Sequence, residues 1–271
     1  MKNTNIGFFL SSLFTQRKVI KALVIRDFKA RYFASYIGLP WAFIQPASYI
    51  LVIWFAFTFG LRGGGHGVDG VLFAPWLIVA IVPWMFIGQT IIVSCMALPE
   101  YSYLIKKTSF NVALIPVIKI FSGMIVHFIL LVCMVLILIL SFGIYPTVYW
   151  FQIFYYLFAT TVLLTGIAWF VSSVNVFIRD MAHIVNIFVT MLFWATPIIW
   201  PYGMLQGNYR YIALFNPFFY ITEGYRYTFV QKIWFFEFVE MNVYFWTVTL
   251  LLFVAGAYTF RKLKPDFGDE L

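Results

Sequence analysis

The chain has 271 residues, 63% of them hydrophobic and 10% charged, with a mean hydropathy of +0.92. A soluble domain carries roughly 25% charged residues and, at this length, has too little interior to hide so much apolar material. An ordinary water-soluble enzyme is therefore excluded. The net charge of +8 does not mark a nucleic-acid binder either, because the basic residues flank apolar runs, as at membrane surfaces, instead of gathering on a polar domain.

The first element in chain order is amphipathic, over 13–36. On a helical wheel Arg17, Lys18, Lys21, Arg26 and Lys29 share one half, and Val19, Ile20, Leu23, Val24 and Ala30 share the other. Asp27 and Arg31 break the pattern. Such a helix is expected to lie in the membrane interface. Residues 1–36 are too charged, and lack the compact apolar region and small-residue cleavage site, to read as a signal peptide.

Six apolar runs follow, each near the roughly 20 residues that cross a bilayer: 38–60, 73–97, 112–142, 148–174, 184–202 and 240–260. Connecting them are a glycine-rich turn LRGGGHGVDG (61–70), a polar stretch PEYSYLIKKTSFN (99–111), the turn NVFIRD (175–180), and a long mixed segment, 203–239. That segment is too polar for a span and too aromatic for a simple exposed loop. Short extracellular helices that dip into the outer leaflet and turn back are expected there, since irregular backbone is tolerated at that depth when covered. Asn216-Pro217 suits a helix start, and Glu223 and Arg226, three apart, can pair. The expected fold is an all-α integral membrane protein forming one domain over 1–271, with an N-terminal interface helix, six transmembrane helices within 38–260 and a cytoplasmic tail, 261–271.

Charge sets the orientation. With both termini inside, fourteen Lys and Arg fall in cytoplasmic segments and four (Arg62, Arg210, Arg226, Lys232) outside, a bias that favours this topology.

Motifs for chemistry are missing. No GxxxxGK[ST], HExxH or GxSxG occurs, and no Cys/His cluster has metal spacing. No catalytic residue, metal or cofactor is expected. Cys95 and Cys133 lie in apolar stretches and read as small hydrophobes. Among His66, His127 and His183, His127 is the ionisable group deep inside an expected span. It is a functional candidate by default, or a neutral imidazole bonded to a neighbouring helix. Every Asp and Glu lies in a loop or near a helix end, so the energy source is expected on another polypeptide.

Four stretches, in order, resemble the ABC-2 type permeases that export polysaccharides: RDFKARYFASYIGLPWAFIQP (26–46), PWMF (83–86) with the polar turn after it, NVFIRD (175–180), and TPIIWP (196–201) followed by NPFFYITEGYR (216–226). Together they cover essentially the whole chain. Within that group, 57–86 is most similar to the wall teichoic acid permeases; the O-antigen and capsular permeases share the remainder.

The resemblance implies a homodimer in a bacterial cytoplasmic membrane. It would work with two copies of an ATPase subunit, which hold the ATP and Mg, and move an undecaprenyl diphosphate-linked polymer. It also implies roles for residues. Arg26, Lys29, Arg31 and Trp41 would form the substrate inlet, with Arg62 meeting substrate on the outer side. Glu100, Tyr101, Lys106, Lys107, Arg179 and Asp180 would couple to the ATPase, and Asn216, Pro217, Glu223 and Arg226 would form the outer gate. The residues agree with this: each cation near the surface adds roughly 1 kcal/mol of attraction for anionic headgroups, and an aromatic pathway can stack on sugars. A small-molecule ABC-2 exporter and a membrane-embedded lipid-modifying enzyme are the alternatives.

Overall fold

Two helices, α1 (Ile6–Thr15) and α2 (Arg17–Tyr32), stand where the sequence suggests one amphipathic helix over 13–36. The computed structural model of the protein describes residues 6–33, 36, 38, 40–56, 59, 70–107 and 110–271. Arg62, His66 and nearly all of the glycine-rich turn lie outside the described residues.

Apolar helices follow as α3 (Trp41–Phe55) and α4 (Phe73–Cys95). Two short helices, α5 (Ala97–Glu100) and α6 (Ser102–Lys107), form the turn into α7 (Leu114–Phe142), then come α8 (Ile153–Phe177) and α9 (Met181–Ala195). The mixed segment holds α10 (Arg210–Leu214) and α11 (Pro217–Arg226), short helices as expected. The chain closes with α12 (Val239–Leu263) and α13 (Phe267–Glu270).

Among the described residues, four of the apolar stretches are long enough to span by length and composition: Phe73–Cys95, Leu114–Phe142, Val148–Phe177 and Val239–Glu270. The other two, α3 and α9, have 15 residues each. At 1.5 Å per residue that is about 22 Å, against roughly 30 Å of hydrocarbon. The expected run 184–202 is thus not one helix. Pro197 disfavours the helical region for the residue before it, Thr196 is extended at φ −85°, ψ 134°, and α9 ends at Ala195. The end of α7 has a comparable local cause: Gly143 takes φ +64°, and its N–H bonds back to the Leu138 carbonyl.

Helices α8 and α12 pack closely through glycine. A Cβ on Gly166 would stand 2.6 Å from Phe253 Cα, and small residues are what let membrane helices approach so far. The outer faces of α7 and α12 stay apolar and exposed, through Val132, Leu136 and Leu140, and Leu250, Leu251 and Val254, as lipid-facing surfaces require.

A second, smaller core closes the end that carries the α5–α6 turn. It joins Ile20, Leu23 and Val24 of α2 to Leu98, Tyr101, Ile115, Ile118, Trp169, Phe260 and Phe267. Residues 261–271 are therefore not a loose tail: Phe267 is buried against the rings of Phe177 and Phe260. The buried stripe of α2 is Ile20, Leu23, Val24 and Asp27, an i, i+3, i+4, i+7 register that packs on α7. Val19 and Ala30, apolar on the wheel, are exposed instead.

Candidate functional site: a buried ion cluster, a re-entrant pin and a polar cleft

Asp27 sits on the buried stripe of α2 because α7 supplies its counter-charge. The Lys119 ammonium donates to Asp27 Oδ1 and to Glu100 Oε2, each at 2.5 Å. Lys119 is 3% and Asp27 7% exposed, whereas the Glu100 side chain is half exposed. The Tyr101 hydroxyl donates to Asp27 Oδ1 at 3.4 Å, and Arg31 approaches Oδ2 at 3.6 Å. Burial, with the Asp27 carboxylate close by, raises the Tyr101 phenol well above its usual range, so it remains a donor. Arg26 lies over the rings of Tyr101 and Tyr103 at 5.1 and 5.2 Å, within cation–π range.

Charges this buried persist only when paired and hydrogen-bonded. The cluster therefore fixes three elements, α2, the α5–α6 turn and α7, as one unit. The second turn on this end is tied in nearby: Asn175 Nδ2 contacts Met96 Sδ at 3.5 Å, and Trp169 Nε1 donates to the Ala113 carbonyl at 2.9 Å.

Of the expected coupling residues, Glu100 and Tyr101 join this cluster. Lys106, Arg179 and Asp180 are exposed on the turns, and Asp180 heads α9 without a side-chain cap bond. The Lys107 side chain lies outside the described residues. Sequence reasoning missed Lys119, which the charge count placed as a simple cytoplasmic cation. It also set Asp27 aside as an irregularity, although an acid on the apolar side of a helix was the available signal.

The expected outer-gate residues converge on the re-entrant segment. Asn216 accepts from the Phe218 N–H at 3.0 Å and caps α11, with Pro217 in the first turn. Its amide donates to Thr196 Oγ1 at 2.7 Å. Arg226 is fully buried. Its guanidinium donates to Glu223 at 2.8 Å, to the Pro197 carbonyl at 2.8 Å and to the Ile198 carbonyl at 2.7 Å, and it stacks 3.5 Å from the centre of the Trp76 ring. The break after α9 leaves carbonyls without helical partners, and in lipid these need satisfaction from protein. Arg226 supplies it with a planar fork that lysine lacks, pinning α11 to α4 and to the broken segment.

His127 is buried in α7. Its Nε2 meets the Tyr225 hydroxyl of α11 at 2.8 Å, and its ring stacks on Phe86 at 4.9 Å.

Between the end of α2 and helices α3, α4 and α7 lies a cleft of about 280 Å³, lined among others by Arg31, Trp41, Gln45, Gln89, Thr90 and His127. Of the expected inlet residues, Arg31 and Trp41 line this cleft. Arg26 turns instead to the tyrosines of the α5–α6 turn, and Lys29 is exposed.

Long apolar helices, a basic helix and an inter-helix turn that share one buried lysine of α7, and a buried re-entrant helix define a multi-pass membrane protein of the permease class. The chain belongs to the ABC-2 type transporter family, whose profile matches residues 18–230. It is 25% identical over 248 residues to the O-antigen export system permease protein RfbA of Klebsiella pneumoniae, a match covering 91% of this chain and 92% of that protein. To the O-antigen export system permease protein RfbA of Myxococcus xanthus it is 25% identical over 266 residues, covering 96% and 97%. The family resemblance drawn from the four sequence stretches is thereby borne out.

Proposed function

We propose that this chain is the membrane subunit of an ATP-driven exporter that carries a lipid-linked cell-surface polysaccharide across the bacterial cytoplasmic membrane. The observation that carries this reading is the end-to-end similarity to O-antigen export permeases, over 96% of the chain in one case. An O-antigen-type polysaccharide therefore has better support than wall teichoic acid, the polymer suggested by 57–86. In this reading the chain works as a homodimer with two ATPase subunits, both termini lie in the cytoplasm, and the substrate hangs from undecaprenyl diphosphate.

The ion cluster suits the transmission of force. An ATPase pressing on the α5–α6 turn would move Glu100 and Tyr101, and through Lys119 and Asp27 would move α2 and α7 together. Lys106, Lys107, Arg179 and Asp180 belong to the turns that such a partner would grip. Arg26, Lys29, Arg31 and Trp41 remain the proposed inlet, with Arg62 on the outer side, and the segment pinned by Asn216, Pro217, Glu223 and Arg226 is the proposed outer gate.

Inactivating the gene tests the reading. Surface polysaccharide should disappear while lipid-linked polymer accumulates on the inner leaflet, and the intact gene should restore export. Normal surface polysaccharide, with altered efflux of small molecules instead, would overturn it.

A further inference from the structure

His127 sits midway along α7 and is buried, yet it belongs neither to the ion cluster nor to the contacts that pin α11 to α4. Its Nε2 lies 2.8 Å from the hydroxyl of Tyr225, which is buried as well. Phe86 of α4 sets the orientation of the imidazole, stacking on it with centroids 4.9 Å apart and planes at 26°. Gly123, one turn earlier on α7, makes room for this: a Cβ there would stand 3.3 Å from the Phe86 ring and 2.7 Å from Thr90 Oγ1. With its face taken by Phe86, the imidazole presents its edge to α11.

Tyr225 directly precedes Arg226. Arg226 and Asn216 tie the re-entrant helix to α4 and to the broken segment at 196–198, whereas Tyr225 reaches α7. Eight residues before His127 on the same helix is Lys119, bonded to Asp27 of α2 and to Glu100 of the α5–α6 turn. At 1.5 Å per residue the two anchors of α7 lie about 12 Å apart. One continuous helix therefore holds the turn at one anchor and the re-entrant segment at the other. Apolar side chains of neighbouring helices can slide past one another. A buried hydrogen bond is directional and finds no water to replace it at membrane depth.

We propose that His127 is a positioning residue that makes the re-entrant helix α11 follow α7, through the bond from its Nε2 to the Tyr225 hydroxyl. The inference rests on the export reading, in which the turn is pressed by an ATPase and α11 belongs to the outer gate. It assigns the transmission between them to one hydrogen bond, so loss of that bond uncouples hydrolysis from transport.

The test compares Tyr225→Phe, which deletes one oxygen and keeps the ring, with His127→Leu and His127→Gln. Each full-length chain is assembled with its ATPase partner in inverted vesicles carrying undecaprenyl diphosphate-linked polysaccharide, and polymer protected from glycosidase is counted per ATP hydrolysed. Tyr225→Phe and His127→Leu should keep assembly and ATP hydrolysis within about twofold of native. Transport per ATP should fall at least about fivefold, the lower end of coupling between two sites. The double variant Tyr225→Phe/His127→Leu should fall no further, because both changes remove the same bond. Glutamine can place an amide near the position of Nε2, so His127→Gln should recover at least half of the loss. Native transport per ATP in both single variants would overturn the proposal, as would a loss matched by equal losses of hydrolysis and assembly, or no recovery with glutamine. Absence of transport by the native complex would instead count against the export reading. The tether is then judged on the chain alone, by hydrogen exchange of residues 217–226. Exchange should quicken at least about fivefold in Tyr225→Phe and His127→Leu and return toward native in His127→Gln, and unchanged exchange would overturn the proposal.

Discussion

The ammonium of Lys119 meets the carboxylate of Asp27 across 92 positions of sequence, at 2.5 Å and with both groups buried. This contact ties the interfacial helix to the first transmembrane helix after the cytoplasmic-type turn. Glu100 takes the same ammonium from the turn itself, but with its side chain half in solvent. The two pairs therefore differ in what they contribute. Water screens the Glu100 pair, while breaking the Asp27 pair strands a charge in the protein interior.

That difference is measurable. Lys119→Met should destabilise the chain by about 3 kcal/mol, the order expected when one partner of a buried pair is removed. Glu100→Gln should cost less than about 1 kcal/mol. Asp27→Asn combined with Lys119→Met should recover much of the loss, because both buried charges are removed together and the charges left behind, Arg31 and Glu100, reach solvent. Thermal unfolding in detergent supplies the three values, and equal losses from Lys119→Met and Glu100→Gln would contradict the assignment. Even where the double variant is stable, stimulation of the ATPase partner should stay low, since the link between turn and helix is gone.

Arg226 gives a second expectation. Its replacement by Met leaves Glu223 and the carbonyls of Pro197 and Ile198 without their donor, a loss of about 3 kcal/mol or more. Lysine retains the charge but not the fork, so Arg226→Lys should recover under half of the stability, read by the same unfolding measurement. Full recovery with lysine would show that charge alone, and not planar geometry, holds the re-entrant helix.

How much of this was legible in advance follows from physical range. Apolar runs and their flanking cations depend on local composition, so the apolar helices among the described residues fall within the runs read from the sequence, although α3 and α9 are shorter than a span. The Asn216-Pro217 cap and the Glu223–Arg226 pair were foreseen as well, since three-residue spacing on a helix is local. The break at Thr196-Pro197 was also local, but the apolar run through Ile198 to Trp200 masked the proline's effect. What stayed hidden were contacts between distant segments. Nothing near Asp27 announces Lys119, and Arg226 gives no local sign of Trp76. The cleft depends on how four helices lean together, which periodicity does not report.

Orientation can be checked residue by residue. Cysteine placed at Asn208 should react with a membrane-impermeant thiol reagent on intact cells, and cysteine placed at Lys264 only after the membrane is opened. Lys264 directly follows α12, on the charged flank that the fourteen-to-four bias is expected to put inside. Labelling at position 264 from outside would invert the topology.

The most direct measurement of the account is ATP-driven movement of the polymer itself. Inverted membrane vesicles would carry this chain with its ATPase partner and be loaded with undecaprenyl diphosphate-linked polysaccharide on the outer, cytoplasmic-type face. Protection of the polysaccharide from an added glycosidase then reports passage into the lumen. The account predicts ATP-dependent protection with the native chain, none without it, and a strong reduction with Asp27→Asn/Lys119→Met at normal levels of assembled complex. Protection that proceeds equally without this chain, or no protection with the native complex and ATP, would contradict it.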